Sequence, residues 1–167
     1  VERARPSAWA STTPAAVMAA REAGLEALLL RVDGDDGALV AALAPVLHHL
    51  DRAADAAAVL GRPLAAAWAA RRRAVLEGPV GPSVALRAWL AATVLREHRG
   101  DAHVAAAATL GLDGCELHVT LAGTGRVPGE MLREARGWSE ADWQAATDRL
   151  VARRLVRPDG RLTSDGL

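Results

Sequence analysis

The chain has 167 residues, 51% hydrophobic and 24% charged, with a formal net charge of +0. That length suits one domain or two small ones sharing a core, and the apolar fraction is far too high for a disordered chain. No apolar run approaches the roughly 20 residues of a transmembrane helix, and Val1-Glu2-Arg3-Ala4-Arg5-Pro6 has no signal-peptide core behind it. No membrane partner is expected. The lone cysteine, Cys115, excludes an internal disulfide and fits a reducing cytoplasm, the expected location.

Helix signals dominate. Thr12-Thr13-Pro14 is an N-cap followed by Pro at the first helical position, opening a helix over 15–30 with Val17, Ala20, Leu25, Leu28 and Leu29 on its apolar side. Asp33-Gly34-Asp35-Asp36-Gly37 reads as a solvated turn, since it lacks the spacing and terminal Glu of a calcium loop. A helical stretch over 38–60 contains Pro45, which should kink or split it. Gly61-Arg62-Pro63 restarts a helix through Trp68 to Leu76, and Gly78-Pro79-Val80-Gly81-Pro82 is the clearest linker.

Beyond the linker a helix is expected over 83–96. Gly100-Asp101 then breaks it and caps a new helix through Leu110. Asp113 caps the next, through about Leu121. Gly123-Thr124-Gly125 is a loop, Pro128 opens a short helix ending at Gly137, and Ser139 starts a long one running to about Leu155. Pro158-Asp159-Gly160 sits between strand-like edges, a hairpin signal over 157–163. The expected core is Leu86, Trp89, Leu90, Val94, Val104, Leu110, Leu117, Leu121, Leu132, Trp143, Leu150 and Leu155.

All 20 basic residues are Arg, and all aromatics are the five Trp. Residue 1 is Val, and Thr163-Ser164-Asp165-Gly166 at the other end reads as a helix start. The expectation is a piece of a longer chain.

A short helix, a long helix and a hairpin around Asp-Gly make the pattern of a winged helix, a helix-turn-helix variant. The stretch Ala146-Thr147-Asp148-Arg149-Leu150-Val151-Ala152-Arg153-Arg154-Leu155-Val156 resembles the recognition helix of MarR-type regulators, and Asp159-Gly160-Arg161-Leu162-Thr163 resembles their wing. A longer resemblance is to an actinobacterial family of helix-turn-helix proteins. It rests on Ala8-Trp9-Ala10-Ser11 with Pro14, Leu95-Arg96-Glu97-His98-Arg99-Gly100-Asp101-Ala102-His103-Val104-Ala105, Gly111-Leu112-Asp113-Gly114-Cys115-Glu116 and Arg136-Gly137-Trp138-Ser139. Members carry an aromatic-rich segment ahead of the Trp9 region that this chain lacks. The family has no established reaction, so the resemblance implies a fold and little chemistry.

If the long helix lies as in MarR-type proteins, Glu140, Ala141, Asp142, Gln144 and Ala145 face the bases. That face is acidic and small, and only Gln144 is suited to base readout. Phosphate binding needs a basic surface. Gln144, Arg149 and Arg161 are the DNA-binding candidates of a reading that these carboxylates disfavour. Winged helices also serve as docking or dimer modules, so a homodimer is a compatible state.

Glu97-His98-Arg99-Gly100-Asp101-Ala102-His103 packs five ionisable side chains between two apolar helices. A break at Gly100-Asp101 would let His98 and His103 converge. One reading is a capped helix junction. The other is a ligand or catalytic pocket of Glu97, His98, Arg99, Asp101 and His103, in which a His beside a carboxylate supplies acid–base chemistry, with Trp9 and Trp68 as an apolar wall. Zinc would need three or four ligands at tight pair spacing, which Cys115, His118 and these residues do not offer, so no metal and no cofactor are expected. Arg71-Arg72-Arg73 at a helix end complements the macrodipole.

The expected fold is all-α: an N-terminal multi-helix region, about 1–80, packed with a winged-helix region, 82–167, carrying one small β-hairpin wing, the two making one compact unit. The first functional expectation is a small-molecule-binding protein, catalytic or not, on a winged-helix scaffold with a degenerate, acidic DNA-reading face. The alternative is a MarR-like, ligand-responsive, DNA-binding transcriptional regulator.

Overall fold

The computed structural model describes residues 11–34 and 37–166. They form α-helices and short connections: α1 Pro14–Asp33, α2 Ala38–Leu43, α3 Leu47–Ala56, α4 Pro63–Leu76, α5 Val84–Thr109, α6 Gly114–Gly123, α7 Gly129–Arg136 and α8 Glu140–Ala152, with a 3-10 turn at Ser164–Gly166. The fold is all-α. The chain divides into two compact units, Val1–Asp101 and Ala102–Leu167, so Gly78–Pro82 falls inside the first.

In the first unit the cap signals act as expected. Thr13 accepts from the Ala16 N–H at 3.2 Å, with Pro14 at the first helical position. The chain leaves the helix at Ala44-Pro45-Val46, which separates α2 from α3. The expected apolar side of α1 is only partly covered: Leu25 and Leu29 are half-buried, no residue of α1 is fully buried, and Val17 and Leu28 are 39% and 47% exposed. A small core forms instead from Ala54, Ala91 and Val94, with Leu50, Ala57, Trp68 and Ala69 packed on it.

Beside it lies an ion network. The Arg72 guanidinium, nearly buried, donates to Asp51 and Asp55 at 2.5 Å each, and Arg87 holds the other oxygen of Asp51. Burial pushes the Asp51 pKa up, but hydrogen bonds from Arg72 and Arg87 and their charges outweigh it and leave the carboxyl below its ordinary range.

The break expected at Gly100-Asp101 is absent. The helix α5 is continuous from Val84 to Thr109. Asp101 therefore caps no new helix. Its carboxylate accepts from the Ala65 N–H at 2.9 Å, satisfying an orphan donor in the first turn of α4. One intact helix also alters the register, so Val104 and Leu110 are 64% and 60% exposed, and Leu121 in α6 is 38% exposed. The other expected core positions are buried (Leu86, Leu90, Val94, Leu132, Leu150) or half-buried (Trp89, Leu117, Trp143, Leu155).

The second unit is built from the last turns of α5, with Ala107 buried, and from α6, α7 and α8. Reciprocal capping boxes start α6 (Asp113 with Glu116) and α8 (Ser139 with Asp142). Gly137 ends α7 in the left-handed region at φ 70°, a conformation that costs any side chain with a Cβ, and it turns the chain within three residues into α8. Cys115, Val119, Ala146, Leu150 and Val156 form the core, with Leu112, Trp138, Trp143, Leu155 and Leu162 around it.

The expected β-hairpin wing is not formed as strands. Among the described residues the only β pairing is an isolated antiparallel bridge between Val156 and Leu162. The pairing stops because Pro158 has no N–H and the Asp159 carboxylate takes the Arg161 N–H at 3.0 Å, while the chain after Thr163 curls into a 3-10 turn. The loop closes all the same, with Arg157 N–H to Arg161 O and Gly160 N–H to Arg157 O both at 2.8 Å. It sits on the end of α6, where a Cβ on Gly123 would stand 2.9 Å from the Gly160 carbonyl oxygen.

Candidate functional site

Two places were expected to carry chemistry: the titratable cluster in α5 and the outward face of α8. In an unbroken helix, side chains five residues apart point about 140° from one another, so His98 and His103 diverge. Glu97 pairs with Arg96 at 2.5 Å, and the His98 carbonyl accepts from Arg62 at 2.6 Å. Arg99 and His103 are exposed, and Asp101 is committed to α4. The contacts of His98 and Asp101 tie α5 to the start of α4. Trp68 stacks edge-on with Trp89 at 5.5 Å, with the Arg21 guanidinium 5.1 Å from its ring. Trp9 lies outside the described residues. Among those described, no group of three or more His, Cys, Asp or Glu is placed to hold a metal.

The outward face of α8 is as acidic as its sequence. Glu140, Ala141, Asp142, Gln144, Ala145 and Asp148 are all exposed. Each polar group there has an intramolecular partner. Glu140 pairs with Arg133 at 3.3 Å, Asp142 accepts from the Ser139 hydroxyl at 2.6 Å, and the Gln144 amide donates to Asp148 at 2.8 Å. Arg149 leans the other way and ties α8 to α6, donating to Glu116 at 2.8 Å and Asp113 at 2.6 Å. With Glu116 buried, this is an anchor between helices. Burial raises the Cys115 pKa, and Asp113 and Asp142 add to it, so the thiol stays protonated in the core.

Four of the eight arginines of residues 102–167 follow α8. Arg153 donates to the Leu110 and Gly111 carbonyls at 2.6 and 3.2 Å. Arg154 takes φ 60° and is exposed. Arg157 reaches Asp159 at 3.3 Å, and the exposed Arg161 makes no ion pair or side-chain hydrogen bond among the described residues. A backbone hydrogen bond from Arg161 and the charges of Arg157 and Arg161 hold the Asp159 carboxyl below its ordinary range. Of the expected DNA contacts, Gln144 and Arg149 are therefore engaged within the unit and Arg161 is available. Arg154 and Arg157 are not among the contacts expected from sequence. Their signal is the run Arg153-Arg154-Leu155-Val156-Arg157, which puts Arg on both sides of two core residues.

A helix-turn-helix family model matches residues 1–167, and the chain belongs to that family. Membership points to a DNA-binding, regulator-like role. No curated protein and no solved structure matches the chain. No helix among the described residues is long and apolar enough to cross a membrane.

Proposed function

We propose that the second unit is a winged helix that holds duplex DNA mainly by its phosphates, through Arg154, Arg157 and Arg161, with little base readout by α8. The helix-turn-helix is α7, the short Gly137 turn and α8, and the loop closed by the Val156–Leu162 bridge serves as a rudimentary wing. The observation that carries this reading is the segregation of charge. Four exposed arginines, Arg153, Arg154, Arg157 and Arg161, follow α8 closely in sequence, whereas the outward face of α8 carries Glu140, Asp142 and Asp148.

Affinity of this kind is electrostatic and strongly salt-dependent. It is also modest, since residues 102–167 hold eight Arg against nine Asp and Glu. The test is fluorescence anisotropy on a mixed-sequence duplex over a salt series. The expected result is binding at low salt whose log–log salt slope shrinks by about one for each of Arg154→Gln, Arg157→Gln and Arg161→Gln. No binding at low salt, or binding indifferent to the triple substitution, sinks the proposal.

A further inference from the structure

The turn between α7 and α8 is tied to α6 through one aromatic side chain. Trp138 stands between the left-handed Gly137 and the Ser139 N-cap. Its ring packs on the core of the second unit, and a Cβ on Gly114, at the start of α6, would stand 3.7 Å from it. Its indole N–H donates to Nδ1 of His118, in the middle of α6, at 3.1 Å. Both side chains are half-buried, so water replaces this bond poorly. We infer that the His118–Trp138 hydrogen bond is a proton-operated latch, which holds the turn against α6 and releases it in acid.

The chemistry of the imidazole carries this reading. A ring that accepts at Nδ1 is neutral, with its proton on Nε2. A second proton goes to Nδ1, and two N–H donors then face one another where the bond had been. The charged ring has another partner to hand, because the backbone of Gly114, one turn back in α6, hydrogen-bonds it and favours its charged form. The charges around it act in one direction. Arg136, in the last turn of α7, and His103, on α5, are the charged and titratable side chains that face the ring, and both oppose a cation there. Arg136 lies two residues before Trp138, so the lost bond and the new repulsion both separate the end of α7 from α6.

The latch stands independently of the DNA reading. Its effect on affinity rests on that reading: release disturbs the placement of α8 and of the arginines that follow it, so acid weakens DNA binding.

The test follows the Trp138 indole N–H resonance and its hydrogen exchange from about pH 7.5 to about pH 5 in the parent, His118→Gln and Arg136→Gln. Glutamine still offers an acceptor oxygen but does not titrate. In the parent, the indole N–H should shift and lose protection in step with the His118 ring. In His118→Gln it should stay held, and in Arg136→Gln the release should move to higher pH, since one opposing charge is gone. Arg136 is exposed, so that variant keeps the test open even where His118→Gln folds poorly. Any one of three results overturns the latch: a parent indole indifferent to pH, release that persists in His118→Gln, or an unmoved midpoint in Arg136→Gln. Anisotropy on duplex DNA completes it. In acid the parent should bind about threefold more weakly than His118→Gln, on the scale of one hydrogen bond, although it carries one more positive charge. Parent binding in acid as tight as that of His118→Gln overturns the effect on affinity. Indole release without DNA binding at any pH sinks the proposed function and leaves the latch standing.

Discussion

The two units stabilise helices with different side-chain inventories. In the first, the buried apolar residues are five alanines with Leu86, Leu90 and Val94, and a near-buried Arg72–Asp51 pair sits beside the Ala54–Ala91–Val94 cluster. In the second, Leu150, Val156, Val119 and Cys115 are enclosed by Trp138 and Trp143, and the ion pairs of Arg149 are half-exposed. An alanine-rich core buries less apolar area per residue, so the first unit depends more on the geometry of its charges. The second depends on volume.

The sharpest way to break this contrast is to empty each core. Leu150→Ala should cost the second unit about 2–5 kcal/mol, as for other fully enclosed leucines. Val94→Ala in the first should cost about 2 kcal/mol, since it removes only two methyl groups. Urea unfolding followed by circular dichroism measures both. Equal losses would mean that the alanine core is packed as tightly as the tryptophan-walled one.

The ion pairs invert the ranking. Arg72→Met leaves Asp51 buried with one partner fewer and should cost about 3 kcal/mol, whereas Arg149→Met in the second unit should cost clearly less, because its guanidinium is half in water. A larger loss for Arg149→Met in the same urea assay would refute the contrast. Next in size is Gly137→Ala, which places a Cβ on a residue at φ 70° and should cost about 1 kcal/mol of the second unit alone. Should it also weaken the first unit, the two do not unfold independently.

The smallest effect is a difference in pH response. The Asp51 pKa is lowered, so its contribution is present above the ordinary carboxylate range and is lost only as pH falls through the still lower folded value. The His118 pKa is lowered too, by burial first and then by the Arg136 and His103 charges, against a backbone hydrogen bond at Gly114. Here the unfolded chain takes up the proton first. Stability of the second unit therefore falls as pH drops below about 6.5 and levels off once the folded imidazole titrates. The proton also removes the Nδ1 acceptor of the Trp138 indole, so tryptophan fluorescence and thermal melts should report the change together. A second unit equally stable at about pH 7.5 and 5.5 would show that His118 does not titrate as described.

Helix starts and stops were legible wherever a local group performs the cap. Thr13, Asp113, Ser139 and Gly137 act within three residues of themselves, so their roles are written in the sequence. The acidic face of α8 was legible for the same reason: helical spacing alone places Glu140, Gln144 and Asp148 together. The rest was decided at long range. Asp101 looks like the cap of its own segment but serves Ala65, far away in sequence, while α5 runs on unbroken and separates His98 from His103. Arg149 reads as a phosphate contact until α6 folds alongside and offers Glu116. Local hydrogen bonds and periodicity belong to a few neighbouring residues and can be read from them. Which carboxylate meets which donor, and which arginine is left without one, depends on distant segments arriving together, and no short window of sequence holds that information.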